Sequence, residues 1–236
     1  VLEEVARGGT ARVRFDARAV ERVRYATYDI EKRIVAHLLR IDVSGRVRGL
    51  YVIVDAGMAR GRDLADMARD AIRGGAEVIQ YRDKVNERGY VYKTASALCT
   101  LCREDGALFV MNDMADVAAA VDAPALHLGQ SDLPVDAARR IMPVSMLIGV
   151  SCHSLKDVEK AVSEGADYIA VGSVYPTLQK QKATVVGVEL VGEARKRIGD
   201  RPLVAIGGIN AANAASVCAA GADAIAVIGA VAGQSD

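Results

Sequence analysis

The feature that most constrains the fold is a regular alternation of short apolar runs and longer helical patterns from residue 50 onward. The runs are rich in Val, Ile and Leu and mostly lack polar alternation, which is typical of parallel strands buried on both faces. The predicted strands span residues 50–55, 76–82, 107–113, 125–130, 146–151, 168–174, 202–208 and 224–229. Helical patterns occupy residues 61–73, 87–104, 114–120, 133–141, 155–164, 188–198 and 210–220. The alternation predicts an α/β protein built from repeated strand–helix units.

A recurring segment supports the repetition of one unit. The stretches RGGAEVI, SEGADYI and AAGADAI each place glycine and alanine between a helical pattern and the next strand. Glycine accepts the left-handed conformation that ends a helix. Eight strands with intervening helices predict a (β/α)₈ TIM barrel, and their even spacing favours it over a doubly wound open sheet.

The two ends of the chain depart from a simple barrel. Between residues 16 and 42, apolar positions at helical spacing among dense charges predict one long or two shorter amphipathic helices. After residue 229 no helical pattern follows, so the last helix of the barrel is expected to be missing. We therefore predict an N-terminal helical extension over 1–49 and a TIM-barrel domain over 50–236.

The amino-acid composition restricts the kinds of molecule that this protein can be expected to bind. The 236 residues carry 30 basic and 30 acidic side chains, and this balance argues against a nucleic-acid binder. An apolar run long enough to cross a membrane is absent from the sequence. Cys99 and Cys102 fall within a helical pattern without a second pair or a histidine cluster, which favours structural thiols in a reducing cytoplasm. The predicted partners are small molecules, with homo-oligomerisation left open.

Active sites of such barrels form where the strands end at their carboxyl side, so polar residues there are the candidates. In the stretch IQYRDK, Gln80, Arg82 and Lys84 alternate, and they point the same way if the extended conformation continues. Later strand ends add Asn112, Asp113, His127, Gln130, Asp132, Ser151, His153, Thr177, Gln179, Lys180 and Lys182. The last two strands end in Gly207, Gly208, Ile228 and Gly229.

These residue types favour two anion sites. Arg82, Lys84 and Lys180 have no obvious local partner in the sequence and suit a polyanion such as a diphosphate. Asp113 and Asp132 supply hard oxygen ligands of the kind that Mg²⁺ takes alongside water and phosphate oxygens. The glycine-ended strands suit a single phosphate held by backbone N–H groups.

Each candidate also has a structural interpretation. Asp113 and Asp132 each fit the N-cap of the helix that follows. Gly207 and Gly208 fit tight turning alone. His127, inside a strand, is predicted to be a hydrogen-bonded core histidine, and His153 is predicted to have a structural role in its loop. Lys182 also fits a solvated surface charge.

Seven segments in this order resemble the thiamine-phosphate synthase family, also called thiamine-phosphate pyrophosphorylase. They are IQYRDK, VMNDMADV, LHLGQSDLP, IGVSCHS, YIAVGSVYPTLQK, VAIGGI and GADAIAVIGA, and the resemblance covers residues 50–232. It implies a Mg²⁺-dependent transferase of thiamine biosynthesis. Such an enzyme joins 4-amino-5-hydroxymethyl-2-methylpyrimidine diphosphate to hydroxyethylthiazole phosphate, and thiamine phosphate and pyrophosphate are formed.

The resemblance also implies roles for individual residues. The pyrimidine diphosphate would be bound by Gln80, Arg82, Lys84, Asn112, Ser151 and Lys180, of which Arg82, Ser151 and Lys180 would be catalytic. Mg²⁺ would be held by Asp113 and Asp132. The thiazole phosphate would be held by Thr177, Gln179, Gly208, Ile228 and Gly229. Pyrophosphate would leave first, and the thiazole nitrogen would attack the resulting pyrimidinylmethyl cation. Such a reaction needs charge neutralisation and positioning more than acid–base chemistry.

The departures from the family pattern fall mainly on the thiazole side. Gln179 stands where the family usually has threonine, and Gly229 stands where it usually has serine. The strand-four segment DAPALHLGQ also lacks the family's usual glycine ahead of its histidine. A thiazole tautomerase of the sister family is disfavoured because it needs neither diphosphate nor Mg²⁺ ligands. The second alternative is a non-catalytic barrel that binds phosphate ligands, with residues 1–49 as its partner-binding element.

Overall fold

A computed structural model describes residues 16–177 and 184–228, with eight parallel strands at its centre. They are β1 (Gly49–Asp55), β2 (Ala76–Arg82), β3 (Leu108–Asn112), β4 (Ala125–Leu128), β5 (Leu147–Cys152), β6 (Tyr168–Val171), β7 (Leu203–Ile206) and β8 (Ala224–Val227). Each strand pairs with the next along the chain, and β1 pairs with β8, so the sheet closes. The predicted TIM barrel is confirmed, and the open sheet is excluded.

Among the residues that the structure describes before the barrel, α1 (Ala17–Ser44) is a single long helix where one or two helices were predicted over residues 16–42. The helices between strands are α2 (Leu64–Arg73), α3 (Arg88–Glu104), α4 (Ala115–Ala120), α5 (Val135–Ile141), α6 (Leu155–Ser163), α7 (Gly187–Arg195) and α8 (Ala214–Ala219). Spatial contacts divide the chain into the compact units Val1–Ile41 and Asp42–Asp236. A membrane-spanning helix, long and apolar enough for the purpose, is not found within the described ranges.

Local chemistry explains where these helices begin and end. The Asp63 carboxylate accepts the backbone N–H groups of Ala65 and Asp66 at 2.9 and 3.0 Å, which caps α2. The three recurring segments end their helices with Gly75, Gly165 and Gly221, all at positive φ (95°, 84° and 104°). Glycine adopts this conformation without the steric penalty of a Cβ atom. The recurrence is therefore a helix stop that precedes β2, β6 and β8.

Apolar side chains pack in two layers on either side of the barrel wall. The larger cluster lies between strands and helices, and the smaller one fills the barrel interior around Tyr51, Val78, Leu108 and Tyr168. Gly149 makes room for Tyr168, because a Cβ atom on Gly149 would lie 1.9 Å from the ring of that tyrosine. The filled interior leaves the carboxyl ends of the strands as the place for a cavity.

The cysteine pair belongs to the outer layer. Cys99 and Cys102 are buried free thiols on α3. Burial raises the pKa of Cys102 to about 12, which keeps its thiol protonated and unreactive. The pair therefore behaves as packing, as the sequence predicted.

Candidate functional site

A cavity of about 390 Å³ opens at the carboxyl ends of β2 to β5. Its lining consists of Arg82, Lys84, Asn112, Asp113, His127, Gly129, Gln130, Ser131, Asp132, Ser151 and His153. Six of the residues to which the family resemblance assigns a role therefore meet at one place: Arg82, Lys84, Asn112, Asp113, Asp132 and Ser151. Strand closure brings them together from segments that are far apart in the chain.

Arg82 has a partner that the sequence analysis missed. Its guanidinium forms a very short ion pair with Asp55, and the two residues end the paired strands β2 and β1 at the same level. Asp55 is only 4% exposed, whereas the Arg82 side chain is 35% exposed on the cavity side. The expectation that Arg82 lacks a local partner is wrong. The strand-end rule would have found Asp55 had it been applied to the first strand.

Lys84 is also paired, because its ammonium lies 2.6 Å from a carboxylate oxygen of Asp113. The turn that carries Lys84 is built by Asp83, which accepts the backbone N–H groups of Val85 and Asn86 at 3.0 Å. The Tyr81 hydroxyl donates to Asp83 at 2.7 Å. The alternation predicted from IQYRDK is present only on β2, which ends at Arg82, and Gln80 lies outside the cavity that Arg82 and Lys84 line. Tyr81 packs in the outer layer with Asp83 bonded to it, while Lys84 lines the cavity.

Asp113 and Asp132 are neighbouring carboxyl groups that share a hydrogen bond, and each affects the pKa of the other. Burial disfavours the charged form of Asp113, but the Lys84 ammonium and the bond to Asp132 outweigh burial and lower its pKa. Burial and then the neighbouring Asp113 raise the pKa of Asp132. One member therefore stays ionised while the other holds on to a proton more readily. Two adjacent carboxylates repel each other when both are ionised. A divalent cation bound between them would remove this repulsion, and both can serve as its oxygen ligands.

Neither aspartate caps a helix. The residue before α4 is Met114 and the residue before α5 is Pro134, and neither helix receives a side-chain cap there. Asp113 instead has positive φ (60°) and turns its carboxylate to Lys84, while Asp132 accepts the Gly129 N–H at 2.7 Å. The helix-cap interpretation is wrong for both residues, because their side chains face the cavity.

Beneath the cavity, five side chains form an interior hydrogen-bond chain: Gln80, Tyr51, Tyr168, His127 and Ser151. The Gln80 amide nitrogen donates to the Tyr51 hydroxyl at 2.8 Å, and the Tyr51 and Tyr168 hydroxyls are 3.3 Å apart. The Tyr168 hydroxyl lies 3.0 Å from His127 Nδ1, and His127 Nε2 lies 2.8 Å from Ser151 Oγ. His127 is buried with both nitrogens bonded, as predicted. Gln80 lies two residues before Arg82 on β2 and lies outside the cavity lining.

The other strand ends are shaped by backbone rather than by charge. Gly207 and Gly208 have φ values of 103° and 64°, and a Cβ atom on Gly208 would lie 2.4 Å from the Pro176 carbonyl oxygen. The segment after β6 therefore packs directly on the end of β7. Thr177 and Ile228 lie at these strand ends and are partly buried. The predicted residues Gln179, Lys180, Lys182 and Gly229 lie outside the described residues.

Fold and cavity together define a (β/α)₈ barrel whose active-site end carries a charged cavity on one side and a glycine-lined strand end on the other. Comparison with known proteins agrees with this class. The sequence pattern described as thiamine monophosphate synthase matches residues 50–231. A thiamine-phosphate synthase of Methanocella arvoryzae is 46% identical over 188 residues, which are 79% of this chain and 88% of that protein.

Two further relatives give the same result. A thiamine-phosphate synthase of Chloroflexus aurantiacus is 45% identical over 188 residues, which are 79% of this chain and 86% of that protein. The solved thiamine phosphate pyrophosphorylase of Pyrococcus furiosus superposes with a TM-score of 0.75 at 40% identity, covering 82% of this chain and 91% of that one. The chain belongs to the thiamine monophosphate synthase family.

Proposed function

We propose that the cavity at the ends of β2 to β5 is where this chain forms thiamine phosphate. The chain is a transferase of thiamine biosynthesis, in keeping with its family. The observation that carries the assignment to the cavity is the convergence of Arg82, Lys84, Asp113 and Asp132 on one space of about 390 Å³. That space holds both cations and carboxylates, as a diphosphate with a divalent counter-ion requires.

The diphosphate of the pyrimidine substrate is assigned to Arg82 and Lys84, with Asn112 beside them in the lining. Arg82 is oriented by Asp55 and still exposes part of its guanidinium, so it can make paired contacts to phosphate oxygens. Lys84 is half-exposed and can turn its ammonium from Asp113 to an incoming phosphate. As pyrophosphate leaves, these cations would stabilise the charge that develops on it. Lys180 and Ser151 complete this part of the proposal.

Mg²⁺ is assigned to Asp113 and Asp132. The described residues hold no group of three or more His, Cys, Asp or Glu side chains placed to bind a metal. Two carboxylates nevertheless suffice for Mg²⁺ when substrate phosphates and water supply the other ligands. When bound, the ion would neutralise charge on the departing pyrophosphate.

The thiazole phosphate is assigned to the ends of β6 to β8, with Thr177, Gln179, Gly208, Ile228 and Gly229 as its contacts. The positive φ angles of Gly207 and Gly208 support this assignment, since such backbone can present N–H groups to a phosphate. The two phosphorylated substrates would then lie on neighbouring parts of the same barrel end. Their reacting atoms would be positioned by binding alone.

Residues 50–236 are proposed as the synthase domain and residues 1–49 as a helical extension. We place the protein in the cytoplasm, acting on small-molecule phosphates without nucleic acid or membrane. A homo-oligomer remains compatible with this proposal. The tautomerase alternative is not favoured, because the two curated relatives described above are named thiamine-phosphate synthases.

The test is a coupling assay on the full chain that follows thiamine phosphate and pyrophosphate together. We expect equal amounts of both products, only when both substrates and Mg²⁺ are supplied. Omission of either substrate, or addition of a chelator, is the control. Pyrophosphate release without thiamine phosphate would contradict the coupling reaction, and full activity in the presence of a chelator would contradict the role of Mg²⁺.

A further inference from the structure

In the interior hydrogen-bond chain, each group can donate to the next in one order, from Gln80 towards Ser151, and this order follows from which atoms carry protons. The Gln80 amide nitrogen can only donate, so the Tyr51 oxygen accepts from it at 2.8 Å. Tyr51 then has its own proton available for the Tyr168 oxygen, 3.3 Å away. Burial raises the pKa of both tyrosines well above the usual range, so both keep a proton to donate.

The direction continues to the cavity. If Tyr168 accepts from Tyr51, its own proton is available for His127 Nδ1, 3.0 Å away. A neutral imidazole that accepts at Nδ1 carries its proton on Nε2. In that tautomer Nε2 would donate to Ser151 Oγ, 2.8 Å away. The Ser151 hydroxyl proton is left for a partner other than His127, and Ser151 lines the cavity.

We propose that His127 is a positioning residue: it is held in the Nε2–H tautomer by Gln80, Tyr51 and Tyr168 and so makes Ser151 a hydrogen-bond donor to the substrate. The group that Ser151 meets is an acceptor atom of the pyrimidine diphosphate, either a ring nitrogen or a phosphate oxygen. This role rests on the proposed function. The reverse direction would make Ser151 donate to His127 and leave it only an acceptor for the substrate.

The direction also explains two features of the barrel interior. Two tyrosine hydroxyls lie in a core otherwise filled by aliphatic side chains, and each needs hydrogen-bond partners there. Gly149 opens the space for the Tyr168 ring, and the hydroxyl of that ring reaches His127. A phenylalanine in place of Tyr168 would fill nearly the same volume and would leave His127 Nδ1 without its hydrogen-bond donor.

The first experiment is NMR spectroscopy of the imidazole nitrogens in the full, substrate-free chain at about pH 8, above the ordinary pKa of histidine. Long-range proton–nitrogen spectra distinguish a protonated from an unprotonated ring nitrogen, and His127→Gln assigns the signals. We expect protonated Nε2 and unprotonated Nδ1. We expect Tyr168→Phe to give a mixture of tautomers. A wild-type His127 protonated on Nδ1 would overturn the proposal.

Tyr81→Phe is the matched control, because it removes another buried phenol hydroxyl from the outer layer, away from the interior chain. It should leave the His127 tautomer unchanged. If Tyr168→Phe does not fold, Tyr51→Phe tests the same direction one step further from His127. An unchanged tautomer in a folded variant of either tyrosine would count against the proposal.

The second experiment is a double-mutant cycle on the coupling reaction with Ser151→Ala and Tyr168→Phe. Each single change should lower kcat about tenfold, the value of one lost hydrogen bond. The double variant should match Ser151→Ala, because Tyr168 acts through Ser151. Multiplicative losses would overturn the proposal. An inactive wild-type protein would instead refute the proposed function. The tautomer spectra would still decide the direction of the interior hydrogen-bond chain.

Discussion

The two sides of the active-site end of this barrel differ in composition: one consists of charged side chains and the other of glycine backbone. The ends of β1 to β3 carry charged side chains held in pairs, Arg82 with Asp55 and Lys84 with Asp113. The end of β7 carries Gly207 and Gly208, whose backbone lies against the segment after β6. We call these the paired-charge side and the glycine side.

The difference has a physical reason. Binding a diphosphate together with a cation requires several charged side chains in one cavity. Before substrate binds, each of these partly buried charges needs a partner that offsets its desolvation and holds it in position. Pairing each cation with a carboxylate does both. A single phosphate needs only N–H groups at the right spacing, which glycine backbone supplies without a side chain. Substitutions should therefore affect catalysis on one side and affinity for one substrate on the other.

The largest effect is expected for Asp113→Asn. Asparagine tolerates the positive φ at this position but removes one charge of the proposed Mg²⁺ site. The kcat of the coupling reaction should fall about a hundredfold, while the free energy of unfolding changes by about 1 kcal/mol, the net value of one hydrogen bond. Steady-state kinetics and thermal denaturation measure the two quantities.

Asp116→Asn is the control for that change. Asp116 lies in the first turn of α4 and forms an exposed ion pair with Arg88 at 3.1 Å. It should leave kcat within about twofold, since exposed pairs contribute little. Equal losses of stability and activity in Asp113→Asn would mean that Asp113 acts through the fold alone.

Asp55→Asn should have the next largest effect. Without the Asp55 charge the Arg82 guanidinium loses its oriented partner, and kcat/KM for the pyrimidine diphosphate should fall about tenfold. The same measurement on Glu77→Gln is the control, because Glu77 joins the start of β2 to Arg48 beside β1 at 2.8 Å. Both pairs link the same two strands at opposite ends of the barrel. Similar losses in the two variants would show that only strand pairing matters.

Gly208→Ala tests the glycine side. The new Cβ atom would lie 2.4 Å from the Pro176 carbonyl oxygen at a φ of 64°, so the segment after β6 must move. We expect KM for the thiazole phosphate to rise about tenfold, equivalent to about 1.4 kcal/mol, with KM for the pyrimidine diphosphate unchanged. Initial rates at varied concentrations of each substrate separate the two constants.

Gly106→Ala provides the comparison, since Gly106 also has positive φ (79°) but would place its Cβ atom in open space. It should lower stability by about 1 kcal/mol through backbone strain alone and leave both KM values unchanged. A rise in the KM for the pyrimidine diphosphate in Gly208→Ala would contradict the division into two sides.

The smallest effect concerns pH and the Asp113–Asp132 pair. The raised pKa of Asp132 means that this carboxyl takes up a proton at a higher pH than an ordinary aspartate. Mg²⁺ requires the ionised form, so its affinity should begin to fall at a higher pH than for a site of ordinary carboxylates. Calorimetry with Mg²⁺ and pyrophosphate over a pH series measures this. Asp132→Asn should bind Mg²⁺ more weakly, with a flatter pH dependence.

Much of the site could be predicted because its residues are polar or charged side chains that follow apolar runs, and such runs mark strands in the sequence. Arg82, Lys84, Asn112, Asp113, Asp132 and Ser151 were predicted from their positions after apolar runs, and the structure brings all six to one cavity. Asp55 obeys the same rule and was overlooked. The cap interpretation failed because a backbone turn at positive φ sends the Asp113 side chain toward Lys84.

The interior hydrogen-bond chain could not be predicted in the same way. Tyr51 and Tyr168 look like ordinary core aromatics in apolar runs, and they meet only because the barrel closes across 117 residues of chain. Whether a buried hydroxyl finds a partner depends on which side chains share a layer of the interior. Local patterning does not carry that information.

The order of strands and helices can be recognised in the amino-acid sequence alone, as can the helix stops at the recurring glycines and the polar residues at the strand ends. These follow from periodicity and backbone preference, which act between near neighbours in the chain. The fold was needed to establish which charges pair, which of the two carboxyl groups has the raised pKa and how Gln80 is connected to Ser151. Those outcomes depend on distances of a few ångströms between residues that closure of the barrel brings together.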